Sequence, residues 1–342
     1  MNLDSSTRRR TATIADVAAA AGVSAPTVSR VVNNTAGVTP ATRSRVEAAI
    51  SELNYRPSAI AQGLAYGRTM TVGAVVPYLT HPSAVQRVRG LIEGLHDSPF
   101  PLSLYDVENP QHRVEHFELL TGSHPPMGTV VVGLHPTTDE LEAFRTVGTP
   151  VVFIEVDVPG FSRVIVDHRE GGMLATQHLI DLGHERIGFI GDAEDNPLGF
   201  TSSALHRRGY TDALATSDLE VDGTLIMRGR HGRAEARTLA GVMLTLDHRP
   251  TAVFAASDTQ AMGVMDAARQ LDLDIPGDLS VVGFDDVEMS TYTGLTTVHQ
   301  PLEASGWRAA EILIDAIAAP SRGVVYEEMP LELAVRETTG SP

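Results

Sequence analysis

Residues 13–33 read TIADVAAAAGVSAPTVSRVVN. Thr13 is a strong N-cap residue, and Asp16 three positions later completes a capping-box pattern. Ile14, Val17 and Ala18 recur at i, i+3 and i+4, which predicts a helix with one apolar stripe. That helix should stop at Ala21-Gly22, where glycine takes up the left-handed turn. Ser24 caps a second helix, with Pro26 in its first turn, where a missing N–H costs nothing. Val28, Val31 and Val32 form its inner side, and Ala25, Pro26, Thr27, Ser29, Arg30 and Asn33 its outer side. A third helix opens at Thr39-Pro40 and runs to about Asn54, with Val46, Ile50 and Leu53 inward. Helix, glycine turn, helix and brace make the helix-turn-helix plan, whose second helix lies in the DNA major groove. Arg30 can reach guanine O6/N7 or a phosphate, Thr27 and Ser29 can reach phosphates or bases, and Ala25 and Pro26 can offer apolar contact to a thymine methyl. On spacing alone, a helical hairpin with no nucleic-acid role fits equally well.

The charge distribution bears on that choice. The chain of 342 residues has a net charge of −17, no cysteine, and arginine as its only Lys/Arg type. Residues 1–69 hold eight arginines and four acids, and the remainder 18 and 39, so a head of +4 precedes a body of −21. Such a head can meet phosphates while the acidic body repels DNA. Lack of cysteine excludes disulfides, thiolate metal sites and a cysteine nucleophile, and fits a cytoplasmic protein. No apolar run approaches the ~18 residues of a membrane span, and Met1–Arg10 has no secretory h-region.

The run from Thr13 to Asn33, together with Arg43-Ser44-Arg45-Val46 and Leu53-Asn54-Tyr55-Arg56-Pro57, resembles the head of the lactose-repressor/galactose-repressor (LacI/GalR) family of transcription regulators. The resemblance implies that Ala25, Pro26 and Arg30 read bases and that Thr27 and Ser29 hold the backbone. Thr13, Ser24, Asn33, Tyr55 and Ser58 join the expected DNA face. Pro57–Ala65 is a stretch of about two turns, marginal as an isolated helix, and with Tyr66-Gly67-Arg68-Thr69 it reads equally well as a linker. The resemblance implies a hinge helix instead, folding on DNA, paired across a dimer in the minor groove. Leu64 would then wedge into the central base step, with Ala61 close-packed.

From Met70 onward, β-branched runs alternate with helical stretches. The runs are Val72–Pro77, Leu102–Tyr105, Thr129–Gly133, Val151–Val156, Arg186–Gly191, Thr224–Met227, Ala252–Ala256 and Ser280–Phe284. The helical stretches lie near 83–96, 111–121, 137–147, 169–182, 203–216, 231–246, 258–271 and 301–318. This alternation predicts parallel sheets with helices on both faces and a ligand beyond the strand carboxyl ends. The resemblance continues through Leu182-Gly183-His184-Glu185-Arg186, Arg208-Gly209-Tyr210, Ser257-Asp258-Thr259-Gln260-Ala261-Met262-Gly263 and Ile275–Asp286 to Leu295–Pro301. It covers about residues 12–338 and implies an α/β two-lobed core like a periplasmic binding protein.

The expected organisation is therefore a helix-turn-helix domain over 1–56, hinge and linker over 57–69, and a core over 70–342. Its lobes would be 70–166 with 295–319, and 167–294 with 320–339, joined near Val166-Asp167, Val287–Leu295 and Ala319–Arg322. Expected ligand contacts are Ser83, Glu155, His206, Arg207, Asp258, Tyr292, Gln300 and Leu302. Asp258 could serve equally as a helix cap. Two departures from the family stand out. His81-Pro82-Ser83-Ala84-Val85 lacks the usual paired aromatics, and His206 stands where relatives carry a clamping arginine, with Arg207 and Arg208 beside it.

His112, Glu115 and His116 match an inverted zinc-protease spacing. With 13 histidines and 43 acids in the chain, chance pairing is easy, and no third ligand can be assigned. No G-x-S-x-G elbow, P-loop or dinucleotide fingerprint occurs. The expectation is a regulator, not an enzyme, without metal or cofactor. Its partners would be double-stranded operator DNA, a small sugar-like effector and a second copy of itself, a tetramer being left open. It would act in the cytoplasm at the nucleoid. The rivals are a cytoplasmic sugar-binding protein without gene control and a zinc hydrolase.

Overall fold

A computed structural model of the chain describes residues 12–32, 36–55, 63 and 67–342. It divides into two compact units, Met1–Met70 and Thr71–Pro342.

The first unit holds α1 (Ile14–Ala21), α2 (Ala25–Val32) and α3 (Pro40–Glu52). The capping box at Thr13 forms as expected: Asp16 N donates to Thr13 Oγ1 and Thr13 N to Asp16 Oδ2. Gly22 closes α1 at φ +64°, a conformation costly for any residue with a Cβ. Val17, Ala18, Ala21, Val28, Val31, Val46 and Ala49 form the buried core of this small unit, so each helix contributes to one cluster.

The second unit contains two six-stranded sheets. The first is built from β1 (Thr69–Pro77), β2 (Leu102–Val107), β3 (Pro126–Val132), β4 (Val151–Ile154), β5 (Ser162–Ile165) and β11 (Tyr326–Glu328), in the order β11-β5-β4-β3-β1-β2. The second contains β6 (Ile187–Asp192), β7 (Ile226–Gly229), β8 (Ala252–Ala255), β9 (Ser280–Asp285), β10 (Thr296–His299) and β12 (Glu332–Ala334), in the order β12-β10-β9-β8-β6-β7. Strand β12 runs antiparallel to β10, whereas β10 and β9 are parallel. Helices follow the strands: α4 (Pro82–Gly94), α5 (Pro110–Thr121), α6 (Thr138–Val147), α7 (His168–Asp181), α8 (Ser202–Thr216), α9 (Arg233–Leu244), α10 (Asp258–Gln270), the short α11 (Glu288–Tyr292) and α12 (Leu302–Ala318).

Successive side chains on these strands enter opposite cores. Val72, Ala74 and Val76 of β1 join one cluster, and Val75 joins the cluster across the sheet. In the second sheet Val253 and Ala255 face one way and Ala252 and Phe254 the other. Apolar side chains on both faces are why these strands read as continuous hydrophobic runs. Several helix pairs close over them through glycine. A Cβ on Gly90 would lie 1.9 Å from the Glu303 carbonyl oxygen, and one on Gly306 2.1 Å from that of Arg87, so α4 and α12 touch backbone to backbone. Gly172 and Gly209 do the same for α7 and α8.

Strand pairing corrects the expected lobe boundaries. The crossing near 166–167 separates β5 from α7. The second crossing falls at 300–301, not over Val287–Leu295, because β10 pairs with β9 and needs α11 as its connection within the same lobe. The third falls between β11 and β12, not at Ala319–Arg322, because β11 extends the first sheet beside β5. The lobes thus divide at 166–167, 300–301 and 329–331. The expected hinge segment lies largely outside the described residues.

Candidate functional site

The outer side of α2 is the first candidate surface. Pro26 and Arg30, four residues apart, are exposed on one helix face, with Ala25, Thr27 and Ser29 half-buried. Ser24 Oγ and Thr27 Oγ1 are 2.9 Å apart, and Thr27 N donates to Ser24 Oγ. Ser24 thus caps the N-terminal turn that would enter a groove. Tyr55 packs against the head core, a structural task besides any DNA contact. Asn33, Ser58, Ala61 and Leu64 lie outside the described residues.

The second candidate is a cavity of about 120 Å³ between the two lobes. Its walls are the carboxyl ends of strands from both sheets, where ligands of such sheets bind. Of the expected contacts, Ser83, Glu155, His206 and Gln300 line it. Four others do not. Asp258 is fully buried and accepts hydrogen bonds from Val287 N, Ser290 Oγ and Thr297 Oγ1. Ser257 supplies the cap of α10, so Asp258 instead ties the 287–297 segment to the lobe. Tyr292 is 76% exposed on α11, because the segment carrying it is internal to one lobe. Leu302 is buried at the start of α12, turned into the packing of that helix. Arg207 pairs with Glu194 at 2.6 Å, and Arg208 is exposed, so neither takes over at the position of His206.

The guanidinium comes from elsewhere. Arg87, on α4, is 4% exposed. Its Nη2 donates to Glu155 Oε1 at 2.5 Å and to Gln300 Oε1 at 3.0 Å. Gln300 Nε2 in turn donates to Asp285 Oδ1 at 2.5 Å. This chain links one lobe, a crossover and the other lobe through three side chains at the cavity. Arg87 Nε and His168 Nε2 are buried without a hydrogen-bond partner, which is expensive unless a ligand supplies one. The sequence signal for Arg87 was present: it sits with Ala84, Val88 and Leu91 on the buried stripe of α4.

An aromatic wall also exists, assembled from residues the sequence reading did not single out. Tyr78 and His81 stack at 4.9 Å between ring centroids, His81 and His231 at 5.1 Å, and Phe200 lies 5.9 Å from Tyr78. Ser83 and Ala84 therefore do not leave the cavity without rings. Tyr78 and Glu155, directly after β1 and β4, and Asp285, the last residue of β9, have φ of +48°, +69° and +115°. Non-glycine residues rarely adopt such angles, and their clustering here marks a functional site.

Ionisation follows burial. His168 and His206, with ring nitrogens 3.0 Å apart, are both held below the usual imidazole range by burial. Asp285 is pushed up to about 8, by burial and then by the Asp258 carboxylate. Asp258 accepts three hydrogen bonds that favour its ionised form, so of this pair Asp285 holds the proton. The folded chain thus retains at Asp285 a proton that the unfolded chain releases above the ordinary carboxylate range. Its contribution to stability therefore falls as pH rises towards 8. The buried histidines work in the opposite sense, but only below their ordinary value of 6.5. We expect stability to decline between pH 6.5 and 8, by up to ~1.4 kcal/mol per pH unit for one proton. Asp285→Asn should flatten that decline in urea unfolding. An unchanged slope in the variant would place the proton elsewhere.

The His112/Glu115/His116 spacing serves the fold: His116 Nε2 lies 3.0 Å from the Asp106 carbonyl, and Glu115 accepts from Gln111. Among the described residues, Asp167, Glu170 and Glu328 bring three exposed carboxylates together. Asp167 Oδ1 is already engaged in capping α7.

The model for bacterial regulatory proteins of the lacI family matches residues 13–58, and that for a periplasmic binding protein-like domain matches residues 176–339. The HTH-type transcriptional repressor PurR of Haemophilus influenzae (strain PittEE) is 32% identical over 338 residues, spanning 96% of this chain and 99% of that protein. The ribose operon repressor of Escherichia coli (strain K12) is 35% identical over 322 residues, spanning 91% and 94%. Among solved structures, the lac repressor dimer bound to operator and the anti-inducer ONPF aligns with a TM-score of 0.79 and 27% identity. That alignment covers 97% of this chain and all of the lac repressor chain, 100%.

Proposed function

The chain belongs to the lacI family of bacterial regulatory proteins, and from that premise we propose that it represses genes of carbohydrate uptake or catabolism, its hold on operator DNA being set by a small sugar-like ligand between the lobes. The observation that carries the ligand half is the cavity itself. Arg87, Gln300 and Asp285 join the two lobes by hydrogen bonds around it, and three polar atoms of its lining residues, Arg87 Nε, His168 Nε2 and His206 Nδ1, are buried without partners. A ligand satisfying those atoms favours one arrangement of the lobes over another, which a control device requires. The DNA half rests on the exposed face of α2 and on the basic balance of the head.

The protein would act as a homodimer on a near-palindromic operator, in the cytoplasm where that operator lies. Val85 and Ile92 on α4 and Trp307 on α12, all exposed, supply apolar surface for a second copy. Among the described residues no helix is long and apolar enough to cross a membrane. The role is binding rather than catalysis, as in the repressors it resembles. A mobility-shift assay on the protein's own promoter tests the reading, with a retarded complex expected and one or more sugars expected to change its amount. No complex on promoter DNA beyond that on unrelated DNA would leave only the reading of a sugar-binding protein without gene control.

A further inference from the structure

Two histidines lie end to end beside the first crossing between the lobes. His168 opens α7 directly after that crossing, and His206 comes from α8 of the same lobe; both are buried. His168 Nδ1 and His206 Nε2 are 3.0 Å apart, so one proton joins the rings. The outer nitrogens, His168 Nε2 and His206 Nδ1, have no hydrogen-bond partner. Each ring nevertheless faces an acceptor. His168 Nε2 lies 3.9 Å from Glu155 Oε1 on the other lobe, about 1 Å beyond a normal hydrogen bond. His206 is drawn towards protonation by the Ala256 backbone, whose N–H is taken by the Ile190 carbonyl, leaving its own carbonyl oxygen. Around the pair stand Arg87 from the first lobe, Asp167 beside His168, and the rings of Phe284 and Phe254.

We propose that His168 and His206 form a proton-operated latch between the lobes: one extra proton, taken up by the pair as Glu155 closes on His168, makes operator binding depend on pH. The proposal rests on the regulator reading above and deepens it by adding a proton as a second input. A neutral imidazole has one donor and one acceptor nitrogen. Two neutral rings thus hold two protons, and the inner bond takes one. A single outer nitrogen can then donate, although acceptors face both. A third proton serves both ends and the inner bond, but places a positive charge in the interior. With Glu155 at 3.9 Å, burial outweighs that gain and holds both rings below the usual imidazole range. A shift of Glu155 by about 1 Å makes a charge-assisted hydrogen bond, about twice as strong as a neutral one. Glu155 and His168 sit on either side of the crossing, so a change of lobe angle moves one against the other. By linkage the neutral arrangement is favoured above the ordinary imidazole value of 6.5 and loses ground as the pH falls below it.

The test is operator affinity of the full-length protein by anisotropy, at constant ionic strength, between about pH 7.2 and about pH 5.8, where histidine changes charge. Residues 1–69 contain no histidine, so imidazole titration cannot act through the DNA-binding head itself. Wild-type affinity should change by ~5-fold or more, the lower end of usual coupling between sites, and that of His168→Gln or His206→Gln by less than about twofold. Asp285, pushed up to about 8 by burial, keeps its proton across this range. Asp258 is raised to about 6 by burial, but its three donors lie in its own lobe. Both variants retain Asp258 and the His81–His231 stack. If neither variant folds, Glu155→Gln, which removes the charge facing His168, should reduce the effect likewise. A wild-type affinity indifferent to pH overturns the proposal and leaves the regulator reading standing. A pH effect undiminished in a folded variant also overturns it, and moves the titration to Asp258 or the His81–His231 stack. Absence of an operator complex at both pH values overturns the regulator reading, and the proposal with it.

Discussion

Gly90→Ala is expected to destabilise the core by ~3 kcal/mol, the upper end of what overpacking typically costs. A Cβ at this position would sit 1.9 Å from the Glu303 carbonyl oxygen and 2.9 Å from Trp307 N. Both are backbone atoms of a helix, so neither can swing aside as a flexible side chain would. The strain would fall on the site too, since α4 carries Ser83 and Arg87 and α12 begins just after Gln300. Parting the helices would stretch the Arg87–Gln300 hydrogen bond of 3.0 Å. Gly241→Ala in α9 is the internal control: a Cβ there meets nothing within 4 Å. That exchange should leave stability unchanged or raise it by up to ~1 kcal/mol. Urea unfolding midpoints of the two variants decide the matter. A Gly90→Ala midpoint equal to wild type would mean that α4 and α12 do not meet through their backbones.

Arg30→Ala should cost at least tenfold in operator affinity, from ~1–3 kcal/mol per lost base contact and one such contact in each half-site. Arg30 is exposed at the end of α2, on the face shared with Pro26. Ala25 and Pro26 have no polar side-chain atom, so the recognition helix has few groups besides Arg30 that can discriminate bases. DNA deformability should carry part of the remaining specificity. Anisotropy titrations with operator and with scrambled DNA separate base reading from phosphate attraction. Specific affinity should fall and non-specific affinity should change little. Retention of full operator preference by the variant would move base recognition to other residues.

The head was legible almost residue by residue, because its caps act within four positions of each other. Thr13 and Asp16 pair as their spacing implied, and Gly22 takes the turn. The sheets were legible where strands are buried on both faces. The sequence reading missed β5, β10, β11 and β12, which have only three or four residues. The burial of β11 and β12 is slight, so no apolar run betrays them. Missing β10 shifted the second lobe boundary, and with it the expected place of Tyr292. The cavity was legible only in part. Ser83, Glu155, His206 and Gln300 could be carried over by position. Arg87, His81, His168, Asp192, His231 and Asp285 converge there from five separate elements or their ends, and no local pattern announces convergence. Asp258 misled for a physical reason: a carboxylate opening a helix after a strand looks the same in sequence whether it faces a ligand or, as here, three donors of its own lobe.

The central claim is that one molecule couples the cleft to the operator. Operator affinity of the full-length protein, measured by anisotropy with and without a saturating sugar-like ligand that binds the cleft, tests it most directly. The predicted result is a change of at least ~5-fold, the lower end of usual coupling between sites. Identical operator affinity with the cleft empty and filled would contradict it.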